Sequence, residues 1–456
     1  MTHDGFLLGF GREVAPRGRL QRLVYSMPLL GRRFEQAIWP PEYIWTDGTA
    51  SPHIFVTAGS GAGKTLGLVL PWCQAALKRG SLVYFNGAGP GFDWFVRECV
   101  ANELSPENIC LIDPGHNLDL GTPWIDLLRP LPGRRLEQAA ESLVADMMVM
   151  SQRLSQPGPR MNEVGYNIFR VLQLEGEGLP LAKLHTFLYN QLLRRAWISR
   201  CPDADLKAYW QYFEEHINPQ QKAVILNPVS NKFAPLLRCP FTSPMFAATE
   251  SSVHLDQLIN TKGMGLAVNF YSDNIHKDVV ETLAQLFFSH LKTCIIQRGA
   301  IRRDERVPLT VIVDEYSFIR SPAVMEDLYR LSRNLSVTIL EESELRAIVG
   351  SSGCVFVMAV GQKESERLGL ELAKPTGTKR KSWTELGYYS VYEEIYHMQE
   401  LLSKEKQKQQ QGVASLNPKG LYFLRTPTRT MPPEDVEKEE AFRLAVAQRW
   451  YRPLKQ

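Results

Sequence analysis

The sequence predicts an α/β fold with a mostly parallel sheet, interrupted by an all-α insertion. Three observations predict it. A strand-like run, a glycine-rich loop and a helical run follow one another over residues 53–70. Short runs that are apolar on both faces then alternate with helical stretches, as a sheet covered by helices on both sides requires. That alternation stops at about Gly133 and resumes after Arg238, with a helical pattern between.

Residues 1–45 read as irregular and rich in arginine: Arg12, Arg17, Arg19, Arg22, Arg32 and Arg33. The mixed stretch "GRLQRLVYSMPLLGRRF" fits a surface anchor to anionic lipid or a partner, or a lead-in strap packed on the core; the strap is preferred. "HIFVTA", "SLVYF" (81–85) and "NICLID" (108–113) read as buried strands. The helical stretch opens with "RRLEQAAESLVADMMVMSQRL" and is punctuated by "SQPGPR" (155–160) and "RCPFTSP" (238–244). Strands return at "GMGLAVNF" (263–270), "LTVIVD" (309–314), "SVTIL" (336–340), "CVFVMAV" (354–360) and "GLYFL" (420–424). "KEKQKQQQ" (404–411) reads as a solvated low-complexity loop. The expected organisation is a basic segment over 1–45, a nucleotide-binding domain over 46–132 and 246–430, an all-α insertion over 133–245, and a tail helix over 431–456.

A chain of 456 residues is too long for one simple core. With 44% hydrophobic and 22% charged residues it is globular rather than disordered. The formal net charge of +3 is near balance, so any contact with nucleic acid is expected to be local, in a groove or pore. The seven cysteines form no CxxC pair and the nine histidines no HExxH or His-x-Glu constellation, which excludes the usual zinc sites and fits a reduced, cytosolic protein. No signal peptide stands out. Leu66–Leu77, broken by Pro71, and Leu283–Ile296, broken by His290 and Lys292, read as too short or too polar to span a bilayer.

The chemistry concentrates in "AGSGAGKT", Ala58, Gly59, Ser60, Gly61, Ala62, Gly63, Lys64 and Thr65. This fits a P-loop with alanine at the usual first glycine. The glycines let successive backbone N–H groups turn toward phosphate oxygens. The helix that follows adds its positive end. Lys64 supplies a cation for the β- and γ-phosphates, and Thr65 a hydroxyl for Mg²⁺, so ATP and Mg²⁺ are the expected cofactors. The second half of such a site is an acid ending a buried strand. "LTVIVDEYSF" supplies Asp314 for the Mg²⁺ shell and Glu315 to polarise the attacking water, which points to hydrolysis. A dinucleotide loop fits poorly, because the GxGxxG spacing is missing. An adenylate-type kinase fits poorly too, since no lid-like arginine cluster is evident.

Taken together, these motifs resemble the type IV secretion coupling proteins of bacterial conjugation, within the FtsK–HerA class of hexameric DNA-pumping ATPases. "HIFVTAGSGAGKTLGLVLP" resembles that family's P-loop with a proline, Pro71, in the next helix; proline inside a helix is disfavoured, which makes this feature specific. "ICLIDPGHNLDLGTPWIDLL", "LTVIVDEYSFI", "LYRLSRNLSVTIL", "YSVYEEIYHMQELL" and "GLYFLRTPTRTM" resemble later segments, over most of residues 50–430. The resemblance implies a RecA-like core with an all-α domain at the insertion. It implies that Arg333, or second to it Arg330, acts as an arginine finger on the neighbouring subunit's γ-phosphate. A helix C-terminal arginine capping carbonyls is the plainer alternative.

Three departures accompany it. The family usually carries N-terminal membrane spans, and no such span is evident here. Its Asp-Pro-Lys after the second strand is replaced by "FNGAGPGFD" (85–93). Its sensor glutamine is replaced by Glu341-Glu342. By resemblance the chain is expected to be an ATP-driven DNA translocase, the coupling ATPase of a conjugative or type IV secretion-like system. Its expected partners are sequence-nonspecific DNA, five further copies in a ring, and secretion-channel or relaxosome proteins, with indirect or peripheral membrane contact from the cytoplasm. Helicase or packaging motors in repair or phage defence, and a nucleotide-binding cargo receptor with weak or no hydrolysis, are the alternatives. "GTKRKSW" (377–383) and "NKFAPLLR" (231–238) are the candidate pore loops, with Trp383 as a stacking platform. Tyr209, Trp210, Tyr212 and Phe213 read as helical core.

Overall fold

The computed structural model describes residues 7–13, 42–45, 53–57, 62–114, 120–151, 159–314, 328, 337–342, 354–358, 379–384, 387–392, 411–416, 420–425 and 430–452. In chain order its strands are β1 (Leu7–Glu13), β2 (Glu42–Trp45), β3 (Ile54–Thr57), β4 (Ser81–Asn86), β5 (Ile109–Ile112), β6 (Gly265–Asn269), β7 (Leu309–Asp314), β8 (Val337–Glu342), β9 (Cys354–Met358), β10 (Lys379–Thr384), β11 (Gly387–Tyr392), β12 (Gln411–Leu416) and β13 (Gly420–Arg425). Its main helices are α1 (Leu70–Arg79), α2 (Gly91–Ala101), α3 (Leu136–Ser151), α4 (Pro159–Leu174), α5 (Leu184–Tyr189), α6 (Gln191–Arg200), α7 (Ala204–His216), α8 (Pro219–Arg238), α9 (Leu255–Leu258), α10 (Lys277–Gln297) and α11 (Val436–Trp450). Every strand expected from 53 to 424 forms.

The chain divides into two compact units. The first comprises Met1–Arg79, Thr310–Tyr316 and Val337–Pro433. Its strand order is β2-β1-β13-β12-β9-β3-β8-β7. β3 lies parallel to β8 and to β9. β12, β13, β1 and β2 then extend the sheet in antiparallel fashion. The basic segment is therefore not wholly irregular, because it contributes β1 and β2. Its "LLGFGRE" run lacks the alternation that marks a half-buried strand, and its order comes from pairing with β13. "KEKQKQQQ" ends inside β12 at Gln411; its preceding residues lie outside the described ones.

The second unit comprises Gly80–Leu309, Ser317–Ser336 and Glu434–Gln456. Its strands run parallel in the order β4-β6-β5. β4 and β5 are buried at every position, as a two-sided parallel sheet demands. α10 packs on this sheet through Phe288, whose ring centroid lies 4.4 Å from that of Phe85. Among the described residues, Lys277–Ala300 is one stretch long and apolar enough to cross a membrane, contrary to the expectation that this run is too short or too polar. Burial explains its apolarity, since 72% of the apolar window is covered within the protein. α11 returns to the sheet, where the Tyr451 hydroxyl donates to the Leu111 carbonyl at 2.9 Å.

Between Gly133 and Arg238 the described residues form helices and no strand. Local signals start them. The Asp203 carboxylate caps α7 by accepting from the N–H groups of Asp205 and Leu206. Asn218 caps α8, with Pro219 at the first helical position. Trp210 is fully buried against Phe187 of α5, at 5.0 Å between ring centroids, and against Phe213, at 5.1 Å and one helical turn further along α7. Tyr212 lies on the opposite face, 62% exposed, and stacks on His216 at 4.8 Å. So Trp210 and Phe213 are core, and Tyr212 is not. "NKFAPLLR" is not a loop: it is the last part of α8, with Phe233 and Leu236 fully buried. The amphipathic spacing of its apolar residues outweighs Pro235, which α8 tolerates alongside Pro228.

Candidate functional site

β3 ends at Thr57, and Ala58, Gly59, Ser60 and Gly61 lie outside the described residues. The chain is described again at Ala62, which is buried, and Gly63, whose φ of +84° is in the left-handed region open to glycine. Lys64 then opens the helix. Its first turns are wide: Thr65–Val69 form a π-type turn in which the Leu70 N–H bonds to the Thr65 carbonyl, before α1 continues. Pro71, which has no N–H and crowds the carbonyl one turn back, is the second residue of α1. The widened turn just before it relieves that crowding, and such turns mark functional positions in helices.

β7 delivers Asp314 from 249 residues away. Its strand is apolar and fully buried, so the carboxylate at its end is 2% exposed. There it meets both halves of the loop's chemistry. Lys64 Nζ lies 3.1 Å from Asp314 Oδ1, and the Thr65 hydroxyl donates to Asp314 Oδ2 at 3.2 Å. A carboxylate this buried is held by its cation and by hydrogen bonds. β8 lies between β3 and β7 in the sheet and runs parallel to β3, with Phe55 opposite Glu341 and Val56 opposite Glu342. The two glutamates thus sit at the carboxyl end of the strand flanked by the P-loop strand and the Asp314 strand. In open parallel sheets ligands bind outside that end. Glu315, Arg330 and Arg333 lie outside the described residues.

The residues present fit a magnesium nucleotide. Mg²⁺ takes hard oxygen ligands, uses one or two protein carboxylates, and fills its remaining positions with phosphate and water. Thr65 and Asp314 offer a hydroxyl and a carboxylate at hydrogen-bond distance from one another. Lys64 brings the compensating cation to the same point. Among the described residues no group of three or more His, Cys, Asp or Glu gathers to hold a metal by protein ligands alone.

The second unit holds a polar cluster that was legible only as an unexplained glycine-rich loop, "FNGAGPGFD". Asn86 and Asn269 end β4 and β6 in register. Asn86 Nδ2 donates to Asn269 Oδ1 at 3.0 Å and to the Gly89 carbonyl at 3.3 Å, while Tyr84 Oη donates to Asn86 Oδ1 at 3.3 Å. Asn269 Nδ2 donates to Asp113 Oδ1 at 3.1 Å. Arg443 of α11 reaches Asp113 at 3.7 Å and Asp93 at 2.6 Å. The amides tie the carboxyl ends of three strands together and anchor the loop through Gly89. The signal in the sequence was an asparagine or aspartate ending each strand, at positions 86, 269 and 113.

A scan against protein-family models finds no match, and neither does a search of curated proteins. Solved structures do match. The bacterial conjugative coupling protein TrwBdeltaN70, in its unbound monoclinic form, superposes with a TM-score of 0.57 at 12% identity, covering 95% of this chain and 99% of that one. TrwB in complex with the ATP analogue ADPNP gives 0.55 at 12% identity, and TrwB with ADP and Mg²⁺ gives 0.55 at 11%, each covering 95% of this chain and 97% of that one. At such identity the likeness concerns the fold, and it extends over nearly the whole of both chains. The chain has the RecA-like P-loop fold of the conjugative coupling proteins.

Proposed function

We propose that this chain is an ATP-driven DNA translocase, the coupling ATPase of a conjugative or type IV secretion-like system, working as a hexameric ring. The observation that carries the reading is the convergence of Lys64, Thr65 and Asp314 at the carboxyl ends of β3 and β7. The whole-chain likeness to TrwB, which has been solved with ADPNP and with ADP and Mg²⁺, supports the choice of ATP and Mg²⁺. In this reading the loop amides and Lys64 hold the phosphates. Lys64 exchanges its carboxylate partner for phosphate oxygens of like charge, and Thr65 and Asp314 hold Mg²⁺. Bound Mg²⁺ supplies charge neutralisation on the β- and γ-phosphate oxygens. Glu315 orients the attacking water and accepts its proton. Arg333, or in second place Arg330, completes the site of the neighbouring subunit.

The deciding experiment is steady-state ATPase with and without single- and double-stranded DNA, on wild type, Lys64→Ala, Glu315→Gln and Arg333→Ala. DNA stimulates the wild type, and each variant abolishes turnover or nearly so. An arginine finger is worth about 10³–10⁵ in kcat, so Arg333→Ala subunits mixed into wild-type rings poison them. Hydrolysis that is equal with and without DNA across a range of salt overturns the translocase reading. One observation favours a second reading. Glu341 and Glu342 occupy the strand end where the family carries a glutamine. By the resemblance, a carboxylate in place of that amide opposes a γ-phosphate and leaves a diphosphate tolerated, which fits a cargo receptor that holds nucleotide without turnover. Tight nucleotide binding with no measurable hydrolysis selects that reading.

A further inference from the structure

The helix behind the glycine-rich loop carries one residue more in its first turns than an α-helix needs. The Leu70 N–H bonds to the Thr65 carbonyl, where the α register would use the carbonyl of Leu66. Lys64 and Leu70, on either side, both hold α-helical φ and ψ, so the widening is confined to Thr65–Val69. One residue corresponds to about 100° of helix rotation, so an extra one changes which side chain stands over which. Leu70, Cys73 and Leu77 mark the buried face of α1. In a regular helix Leu66 would stand one turn above Leu70. In the widened turn Thr65 stands there instead, and its hydroxyl meets Asp314 Oδ2 at 3.2 Å.

Pro71 bars the regular register. It has no N–H to give the Gly67 carbonyl, one α-turn back, and its ring crowds that carbonyl. Proline is tolerated at the start of a helix, but Pro71 is not at a true start, because the helical path runs unbroken from Lys64. On the other side the Gly67 N–H bonds to the Gly63 carbonyl at 2.9 Å, which ties the turn to the end of the loop. The loop end and the buried face of α1 are thus both anchored, and the turn between them absorbs the extra residue. We infer that Pro71 is a positioning residue for the metal half of the nucleotide site. By excluding the α register it holds the extra residue in the turn, and that residue is why Thr65, and not Leu66, faces Asp314. The inference rests on the proposed nucleotide site and adds to it a residue that acts only through Thr65.

The test uses the full chain saturated with ADP. Mn²⁺ is the probe of the Mg²⁺ position, and electron paramagnetic resonance separates free from bound ion. Pro71→Ala restores an N–H at position 71 and removes the ring, which frees the turn to take the α register. It is expected to weaken Mn²⁺ binding by about ten-fold, the lower end of what losing a group that orients a metal ligand costs. Its thermal midpoint is expected to hold or rise, since alanine is the better helix former. A proline with a merely structural role would lower both together, so a joint fall overturns the inference. Thr65→Val removes the hydroxyl at nearly constant shape and is expected to lose at least as much affinity. Adding Pro71→Ala to it is expected to cost nothing further, because two residues that act through one contact are not additive. Pro228→Ala, at an in-helix proline of α8, is the control and is expected to bind Mn²⁺ like wild type. Wild-type affinity in Pro71→Ala overturns the inference. So does a Pro71→Ala loss that is the same with and without the Thr65 hydroxyl, or an equal loss in Pro228→Ala. If Thr65→Val weakens Mn²⁺ binding and Pro71→Ala does not, this inference alone fails. If wild-type protein adds nothing to the Mn²⁺ affinity of ADP by itself, the proposed nucleotide site fails with it.

Discussion

The Lys64–Asp314 pair makes the sharpest claim about the nucleotide-free protein. Lys64→Met removes the cation 3.1 Å from an Asp314 carboxylate that is 2% exposed. Breaking a buried ion pair by deleting one partner costs about 3–5 kcal/mol, because a charge is left behind without its counter-charge. Lys64 is itself 10% exposed, so its head group reaches the rim of the site and the lower figure, about 3 kcal/mol, is the one to expect. Asp314→Asn is expected to cost less, since the remaining ammonium can turn toward water while a burial penalty of that size falls on Asp314. Joining the two changes leaves no unmatched charge, so the double variant should recover about 1–3 kcal/mol relative to the sum of the singles. Amide hydrogen exchange over β7 is the suitable assay, because it reads local opening free energy in a chain of two units without assuming a single global transition. Single-variant effects that add to within about 0.5 kcal/mol would refute the argument. The same measurement tests the phosphate role. ATP and Mg²⁺ at a hundred times Kd should raise wild-type protection by about 2.7 kcal/mol and leave Lys64→Met nearly unchanged. Equal protection of both would show that Lys64 does not hold the phosphates.

Two further predictions concern the second unit. Glu214 joins Arg194 at 2.7 Å, Lys222 at 3.1 Å and Arg195 at 3.5 Å. Burial works to raise its pKa, but hydrogen bonds from Gln191 and Arg194, the Arg194 charge and a hydrogen bond from Lys222 outweigh it and hold the carboxyl at about 2. The folded pKa is below the unfolded value of about 4.3, so the stabilisation is complete above that pH and is lost as pH falls toward 2. Glu214→Gln should therefore lose about 3 kcal/mol at neutral pH, with the gap to wild type closing in acid melts; a constant gap down to the acid limit contradicts this. His290 is buried, and burial pushes its pKa down to about 4 although Asp256 pulls it upward. Its folded pKa also lies below the unfolded one, so the unfolded chain takes up the proton first, and stability falls as pH drops from about 6.5 toward about 4. His290→Leu should flatten that limb of the stability–pH curve, and an unchanged slope would remove His290 as its source.

The elements of this fold were legible wherever their causes are local. Runs such as "SLVYF" and "LTVIVD" are apolar on both faces and could only be covered strands. "GAGKT" carries its own backbone requirement at Gly63, and the helix that follows is written in the next residues. β1, β2 and β12 were not legible, since nothing in "LLGFGRE" or "QGVASL" alternates strongly; their order comes from neighbours in the sheet. "NKFAPLLR" and "TKRKSW" were misread as loops for related reasons. A charge run describes what a segment meets in water and says little about its backbone, which in one case follows a helix face and in the other a cross-strand register.

The sequence by itself determined the glycine-rich loop between strand and helix, the parallel strands and the helical interruption, because periodicity and glycine placement act over a few residues. Only the tertiary structure decided that Asp314 meets Thr65 across 249 residues and Lys64 beside it, that the apolar run in α10 is buried core, and that β10 pairs with β11. Those facts depend on which strand lies beside which, and in what register. Strand order is set by the burial of whole surfaces at once, a quantity that no local stretch of sequence contains.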